Sequence, residues 1–314
     1  MTHIPAGRGK RDAFTLVELL VVIAIIAILV SLTTAGVMKL LSKGPKIKTQ
    51  SEISQFDIAI QAFESEFGVD YIASLLVLRE DNMYNPANPA EAKSVAYLQR
   101  IFGKNLDLRP SPPGPGIDWN GDGVVLPSGN SPIILEGHHC LVFFLGGIPG
   151  PPTGPNGVLG FSTNPLNPAL PSAPGQTRRG PFYNQFESSR LVRDIKTARP
   201  VGTKINNGFF YYQDAWSTQT GGVPYAYFSA YGIQNGYAGA WGGATGDCPS
   251  LGLLPYTQGT LYSNPRTHQV ISAGQDQAFG KGGLWSSATG QVATGADKDN
   301  QTNFAGAVLS AGGQ

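Results

Sequence analysis

Residues 14–37 constrain this chain more than any other stretch. Between Asp12 and Lys39 the only charged residue is Glu18, and the few other non-apolar members are Thr15, Ser31, Thr33, Thr34 and Gly36. As a helix, a run of about 24 residues is about 36 Å long, enough to cross a hydrocarbon core of about 30 Å. A basic flank precedes it, with Arg8, Lys10 and Arg11. A cleaved secretory signal would have a shorter apolar core and no acid near its start. A plain anchor accounts for the length and the basic flank, but not for Glu18. A carboxylate in an apolar span is costly and marks a function by default.

The order Ala13, then Phe14-Thr15-Leu16-Val17-Glu18, then the apolar run, resembles the prepilin-type N-terminus of type IV pilins and type II secretion pseudopilins. The resemblance implies cutting between Ala13 and Phe14 by a prepilin peptidase, with N-methylation of Phe14. It further implies a helix that anchors the subunit in the bilayer and later packs in a filament core. Glu18, at the fifth position of the mature chain, would pair with the terminal amine of a neighbouring subunit. Buried singly, an amine and a carboxylate are each expensive; together they satisfy one another and set axial register. Ala13 stands where the family usually has Gly, a departure small enough that cutting is still expected.

Net charge is +1, which gives no electrostatic case for nucleic acid. Removal of residues 1–13 leaves 19 basic and 20 acidic residues. Low charged content beside 41 Gly and 24 Pro suits a loop-rich extracytoplasmic domain better than a helical enzyme. The two cysteines, Cys140 and Cys248, could form one long-range disulfide in an oxidising compartment or remain buried thiols.

Beyond the apolar run, Gly44-Pro45 is expected to kink or interrupt the helix. Ile53, Phe56, Ile60, Phe63 and Phe67 then recur at spacings of three and four, an apolar stripe on one helical face. Gly68 is the expected C-cap. Short helical segments are expected at Tyr71–Arg79 and Glu91–Phe102. Residues 110–181 hold 15 of the 24 prolines, which excludes regular helix over most of that stretch. The apolar run Cys140–Leu145 inside it reads as either a buried strand or a short helix. Aromatic, strand-like runs follow at Phe209–Tyr212 and Tyr225–Tyr231, with a third strand at His268–Ser272. The segment from Asp214 and Trp216 through Pro224, Tyr225 and Tyr227 resembles a hairpin of the major pseudopilin of type II secretion, with Ala215 in place of the usual Pro.

The expected fold is therefore α+β and pilin-like: a long N-terminal transmembrane and filament helix packed on a small antiparallel sheet, with a large Pro/Gly-rich insertion. Its parts are a leader at 1–13, the helix at 14–67 (membrane anchor 14–38), a variable insertion at 68–207, and the sheet with C-terminal loops at 208–314.

Two loops invite calcium. Asp118, Asn120 and Asp122 supply oxygens at positions 1, 3 and 5 of a calcium-type loop, Gly123 sits at 6, and Val124 at 7 would offer its carbonyl. Position 12 should be acidic but is Gly129; the next acid is Glu136. An Asx-rich turn uses the same chemistry without metal. The run from Ile271 to Gly283, followed by Asp297 and Asp299, resembles the C-terminal calcium loop of the major pseudopilin, with Asp276 holding the turn. Gly274 to Lys281 misses the spacing of a phosphate-binding loop. His138-His139-Cys140 could suggest zinc, but neighbouring residues rarely chelate together and the sequence has no second Cys/His cluster, so surface or core roles are expected. No nucleophile has a recognisable catalytic neighbourhood.

The resemblance implies a pseudopilin, not an enzyme. It would sit in the inner membrane with its C-terminal domain in the periplasm. Its partners would be the lipid bilayer, the prepilin peptidase, other pseudopilin copies, and the secretion platform with its assembly ATPase. A type IV pilin-like surface fibre is the alternative, and an anchored enzyme or carbohydrate-binding module a third.

Overall fold

A computed structural model describes residues 16–110, 114–125, 132–151, 157–170, 177–197, 200–201, 204–205, 208–217, 221–237, 246–306 and 308–311; within these, only the backbone is described at 32–42, 195, 200–201, 204–205 and 311. The expected cleavage site, Ala13 and Phe14, lies outside the described residues, as does Gly129. The chain divides into two compact units, residues 1–45 and 46–314.

Helix α1 spans Leu16–Phe67 and contains Pro45. The expected interruption at Gly44-Pro45 does not occur. A proline removes one backbone donor from the ladder, and the intact hydrogen bonds on both sides carry the helix past it. The helix ends as its sequence predicts: Gly68 adopts φ +60° and the Val69 N–H returns to the Glu64 carbonyl. Among the described residues, no helix is long and apolar enough to cross a membrane. Described side chains of the apolar run stop at Ser31, so residues 32–38 of the expected anchor contribute only backbone.

In the second unit, the stripe of α1 is the floor of the larger core: Ile53, Phe56, Ile60 and Phe63 are fully buried. Strand β1 (Leu76–Leu78) lies within the expected helix Tyr71–Arg79 and pairs antiparallel with β2 (Ile133–Leu135). Its side chains are apolar on both faces and buried throughout, so this strand of a two-stranded sheet has no solvent face on which a helix could place a polar side. Helix α2 (Pro89–Phe102) forms where expected, with the Asn88 side chain capping the Ala90 N–H and Pro89 in the first turn.

The ambiguous run at 140–145 is helical, within α3 (Gly137–Gly146). Every residue of α3 is buried, as a helix apolar on all sides requires. Gly137 permits this: a Cβ there would lie 1.8 Å from the Tyr227 carbonyl oxygen. The central part of the 68–207 stretch is thus packed into the same core as the α1 stripe.

The remaining strands are β3 (Leu191–Arg193), β4 (Pro200–Val201), β5 (Lys204–Ile205), β6 (Phe210–Tyr212), β7 (Ala226–Ser229), β8 (Leu254–Gln258), β9 (Leu261–Tyr262), β10 (His268–Ser272), β11 (Gly282–Ser286), β12 (Gln291–Val292) and β13 (Gln301–Thr302). The three expected strands exist but do not form one sheet. β7 and β13 flank β10 antiparallel, whereas β6 pairs with β3. Among the described residues, the two arms of the hairpin-like segment share a backbone bridge between Gln213 and Pro224 and hydrogen bonds between Ser217 and Val223. Side chains alternate across the end of β7: Tyr225 and Tyr227 enter the larger core with α1, while Ala226 and Phe228 enter a second core with Tyr256, Ile271 and Trp285. The result is a mixed α+β fold with an N-terminal helix and small, mainly antiparallel sheets; the β8–β11 pair is parallel.

Candidate functional site

Each large apolar residue of α1 from Leu16 to Val30 is exposed, by 45–79%. A helix apolar on every side requires a non-aqueous surrounding or other helices. Glu18 sits in its first turn, where a negative charge complements the helix dipole, and is exposed. This is the one surface of the described chain whose side chains demand a partner of that extent.

The loop 118–124 is organised around its own carboxylates. Asp118 Oδ1 accepts from the Gly121 and Asp122 N–H groups, and Oδ2 accepts from Gly123 N at 2.8 Å. Asn120 Oδ1 accepts from Asp122 N, and Asp122 Oδ1 from Val124 N. Asp122 Oδ2 is buried with no donor. Burial pushes the Asp118 carboxyl above the ordinary carboxylate range, against the lowering effect of the Gly123 N–H. Asp118 and Gly123 also line a pocket of about 480 Å³ with Asp107, Asn164 and Leu170.

Asp297 is fully buried, and protein donors engage both of its oxygens. Oδ1 accepts from Tyr256 Oη at 2.6 Å and Gly282 N at 3.1 Å; Oδ2 accepts from the N–H and hydroxyl of Thr294. That is a capping box joined to two further segments, the arrangement of a structural carboxylate. Asp299 Oδ2 accepts from Asp276 N, while Asp276 Oδ1 holds Ala278 N, the turn role expected of Asp276. Cys140 and Cys248 are free buried thiols, and burial raises both well above the usual thiol range.

Two polar clusters escaped sequence reasoning. Glu52, on the apolar side of α1, is 5% exposed and forms a bidentate pair with Arg190 at 2.5 and 2.8 Å. Tyr225 Oη donates to Glu52 at 2.6 Å, and Arg190 also donates to the Gln213 carbonyl and lies over the Tyr212 ring. Burial opposes the Arg190 charge, but hydrogen bonding and charge from Glu52 hold it above the usual guanidinium range. The partners come from positions 138 residues apart, so no local pattern announces them.

The second cluster is His138, His139 and Asp194, whose potential ligand atoms all lie within 4.8 Å of one another; it is the one such group among the described residues. His139 holds the Asp194 carboxyl below the ordinary range, and burial keeps His138 well below the usual imidazole range. The adjacent-histidine signal was present in the sequence; Asp194, which completes the group, was not legible.

Residues 8–34 match a family model described as the prokaryotic N-terminal methylation motif. No curated protein and no solved structure matches the chain.

Proposed function

We infer that this chain is a pilin-like structural subunit, because the methylation motif over residues 8–34 fits type IV pilin-like and pseudopilin proteins alike, precursors that a prepilin peptidase processes and that polymerise. From that premise we propose that this chain is a pseudopilin of the type II secretion kind. It is cut between Ala13 and Phe14, methylated on Phe14, held in the inner membrane by residues 14–38, and assembled into a periplasmic pseudopilus. The secretion platform and its assembly ATPase draw the subunit from the bilayer. The observation that carries the reading is the all-round apolar surface of Leu16–Val30 with Glu18 as its lone acid, inside the matched motif. Lipid and neighbouring subunit helices are the two surroundings that bury such a surface, and Glu18 meets the methylated amine of a neighbour in the second.

Glu18→Ala is expected to leave membrane insertion intact and to reduce subunit cross-linking and filament yield at least about tenfold, the scale of one lost buried charge pair. Wild-type filament yield from the mutant would overturn the role of Glu18. Mass spectrometry of the membrane-extracted chain should find a methylated N-terminal Phe14.

The pilin-like surface fibre remains the second reading, because the matched motif serves both classes equally. Neighbouring genes for a secretion apparatus, and loss of a secreted protein on deletion, support the pseudopilin; immunogold-labelled external fibres support the pilin.

Calcium at the 118–124 loop is part of the same proposal. Asp118, Asn120 and Asp122 with the Val124 carbonyl form an all-oxygen set suited to a hard cation, and the donor-less Asp122 Oδ2 favours it. Calcium would brace a loop with little apolar surface. Addition of calcium to the chelator-treated chain in detergent should raise its melting temperature, and Asp122→Asn should abolish the shift. An unchanged melt removes the ion.

A further inference from the structure

The first turn of α3 sets two imidazoles side by side in a buried place. His138 and His139 are each 3% exposed, and their ring centroids are 3.9 Å apart. Asp194, following β3, approaches from another segment: its Oδ2 lies 3.1 Å from His139 Nε2, and its Oδ1 accepts from the Lys196 N–H. The Nδ1 atoms of both imidazoles are buried without a hydrogen-bond partner. Glu136 does not serve them. Its Oε2 is 3.9 Å from His138 Nδ1 and is engaged by the N–H and hydroxyl of Ser250.

Neither ring has the hydrogen bond at Nδ1 that would fix it as a purely structural imidazole, and His139 turns its other nitrogen, Nε2, to the Asp194 carboxylate. We propose that His138, His139 and Asp194 bind one divalent transition metal ion of the zinc class. Two imidazole nitrogens and one carboxylate oxygen are the donor types zinc takes, at about 2.0–2.2 Å. Ligand atoms of a tetrahedral ion sit about 3.4 Å apart; His139 Nε2 and Asp194 Oδ2 are 3.1 Å apart, and the three residues offer ligand atoms within 4.8 Å of one another. The Lys196 N–H then acts as an outer partner that orients the Asp194 carboxylate. A water molecule fills the fourth position, and the rim of the partly exposed Asp194 side chain gives access. The bound ion staples α3 to the segment that follows β3. This assignment stands apart from the pseudopilin reading, because none of its ligands lies in α1.

The test uses the full-length chain in detergent, without a histidine tag, after chelator treatment. Titration with zinc should give one ion per chain and a higher melting temperature. Cobalt substitution should give visible d–d bands of a nitrogen/oxygen site without thiolate charge transfer. His139→Gln and Asp194→Asn should each weaken zinc binding at least about tenfold, the smallest loss expected even for an outer partner. His268→Gln, which removes a histidine elsewhere, should bind zinc as the parent does. Absence of zinc and cobalt binding by the parent chain overturns the proposal. So does unaltered affinity in either ligand variant; the cobalt spectrum of the parent decides the matter if a variant fails to fold.

Discussion

The two ends of α1 are built from similar apolar residues and put them to opposite uses. From Leu16 to Val30 the apolar side chains surround the helix and stay exposed; from Ile53 to Phe67 they recur every three or four residues and are buried within their own unit. The difference is one of pattern. A stripe can be covered by one domain, with polar residues such as Ser51 and Ser54 left for water, whereas an all-round surface cannot be covered by anything on one side. The first end therefore depends on what surrounds the protein, and the second on what the protein itself folds against it. Even the polar residues obey this division. Glu52 is buried and has its guanidinium partner within the chain, while the single acid of the first end is exposed.

The contrast can be broken most severely at Arg190. Arg190→Ala strands the Glu52 carboxylate in the core and should lower unfolding free energy by about 3–5 kcal/mol, read by denaturant unfolding of the chain in detergent. A loss below about 1 kcal/mol would mean the pair is solvated. Phe63→Ala removes a fully buried ring from the stripe and should cost about 3–5 kcal/mol by the same measurement. Ile26→Ala, a comparable truncation in the first end, should change unfolding of the 46–314 unit by less than about 0.5 kcal/mol while weakening membrane retention. Equal effects of the two truncations on unfolding would erase the distinction between the ends.

The smallest expected effect concerns pH. Burial raises the Asp247 carboxyl above its ordinary value, partly offset by hydrogen bonds from Ser74 and Tyr231. A raised carboxylate pKa means that the folded state holds the proton more tightly than the unfolded state. Its contribution is therefore fully present below the unfolded value and is lost as pH rises through the folded one. The stability difference between the parent and Asp247→Asn should shift against the parent as pH rises from acid to neutral. A pH-independent difference would show that Asp247 is not penalised in the core.

Much of the fold was legible where one local rule acted alone. The stripe at Ile53–Phe67, the Gly68 cap and the helix before Phe102 follow from spacing, a left-handed backbone position and a capping residue. Reading failed where neighbours decided. Leu76–Leu78 became a strand because β2 lies beside it, and β6 turned to β3 and left β7 to β10. At the sites, the Asp118 loop was legible as an oxygen-rich turn, because its hydrogen bonds span five residues at most. The Glu52–Arg190 pair and the Asp194 approach to His139 were not, because each spans many tens of residues.

The sequence by itself determined the apolar N-terminal run, its lone acid and the motif over residues 8–34, since hydrophobicity and motif spacing are properties of neighbours along the chain. Only the tertiary structure decided that α3 is a wholly buried helix, that Asp297 is held by protein donors, and that Asp194 lies beside two adjacent histidines. Burial and side-chain partnership depend on residues brought together from distant positions, and no local pattern encodes which ones meet.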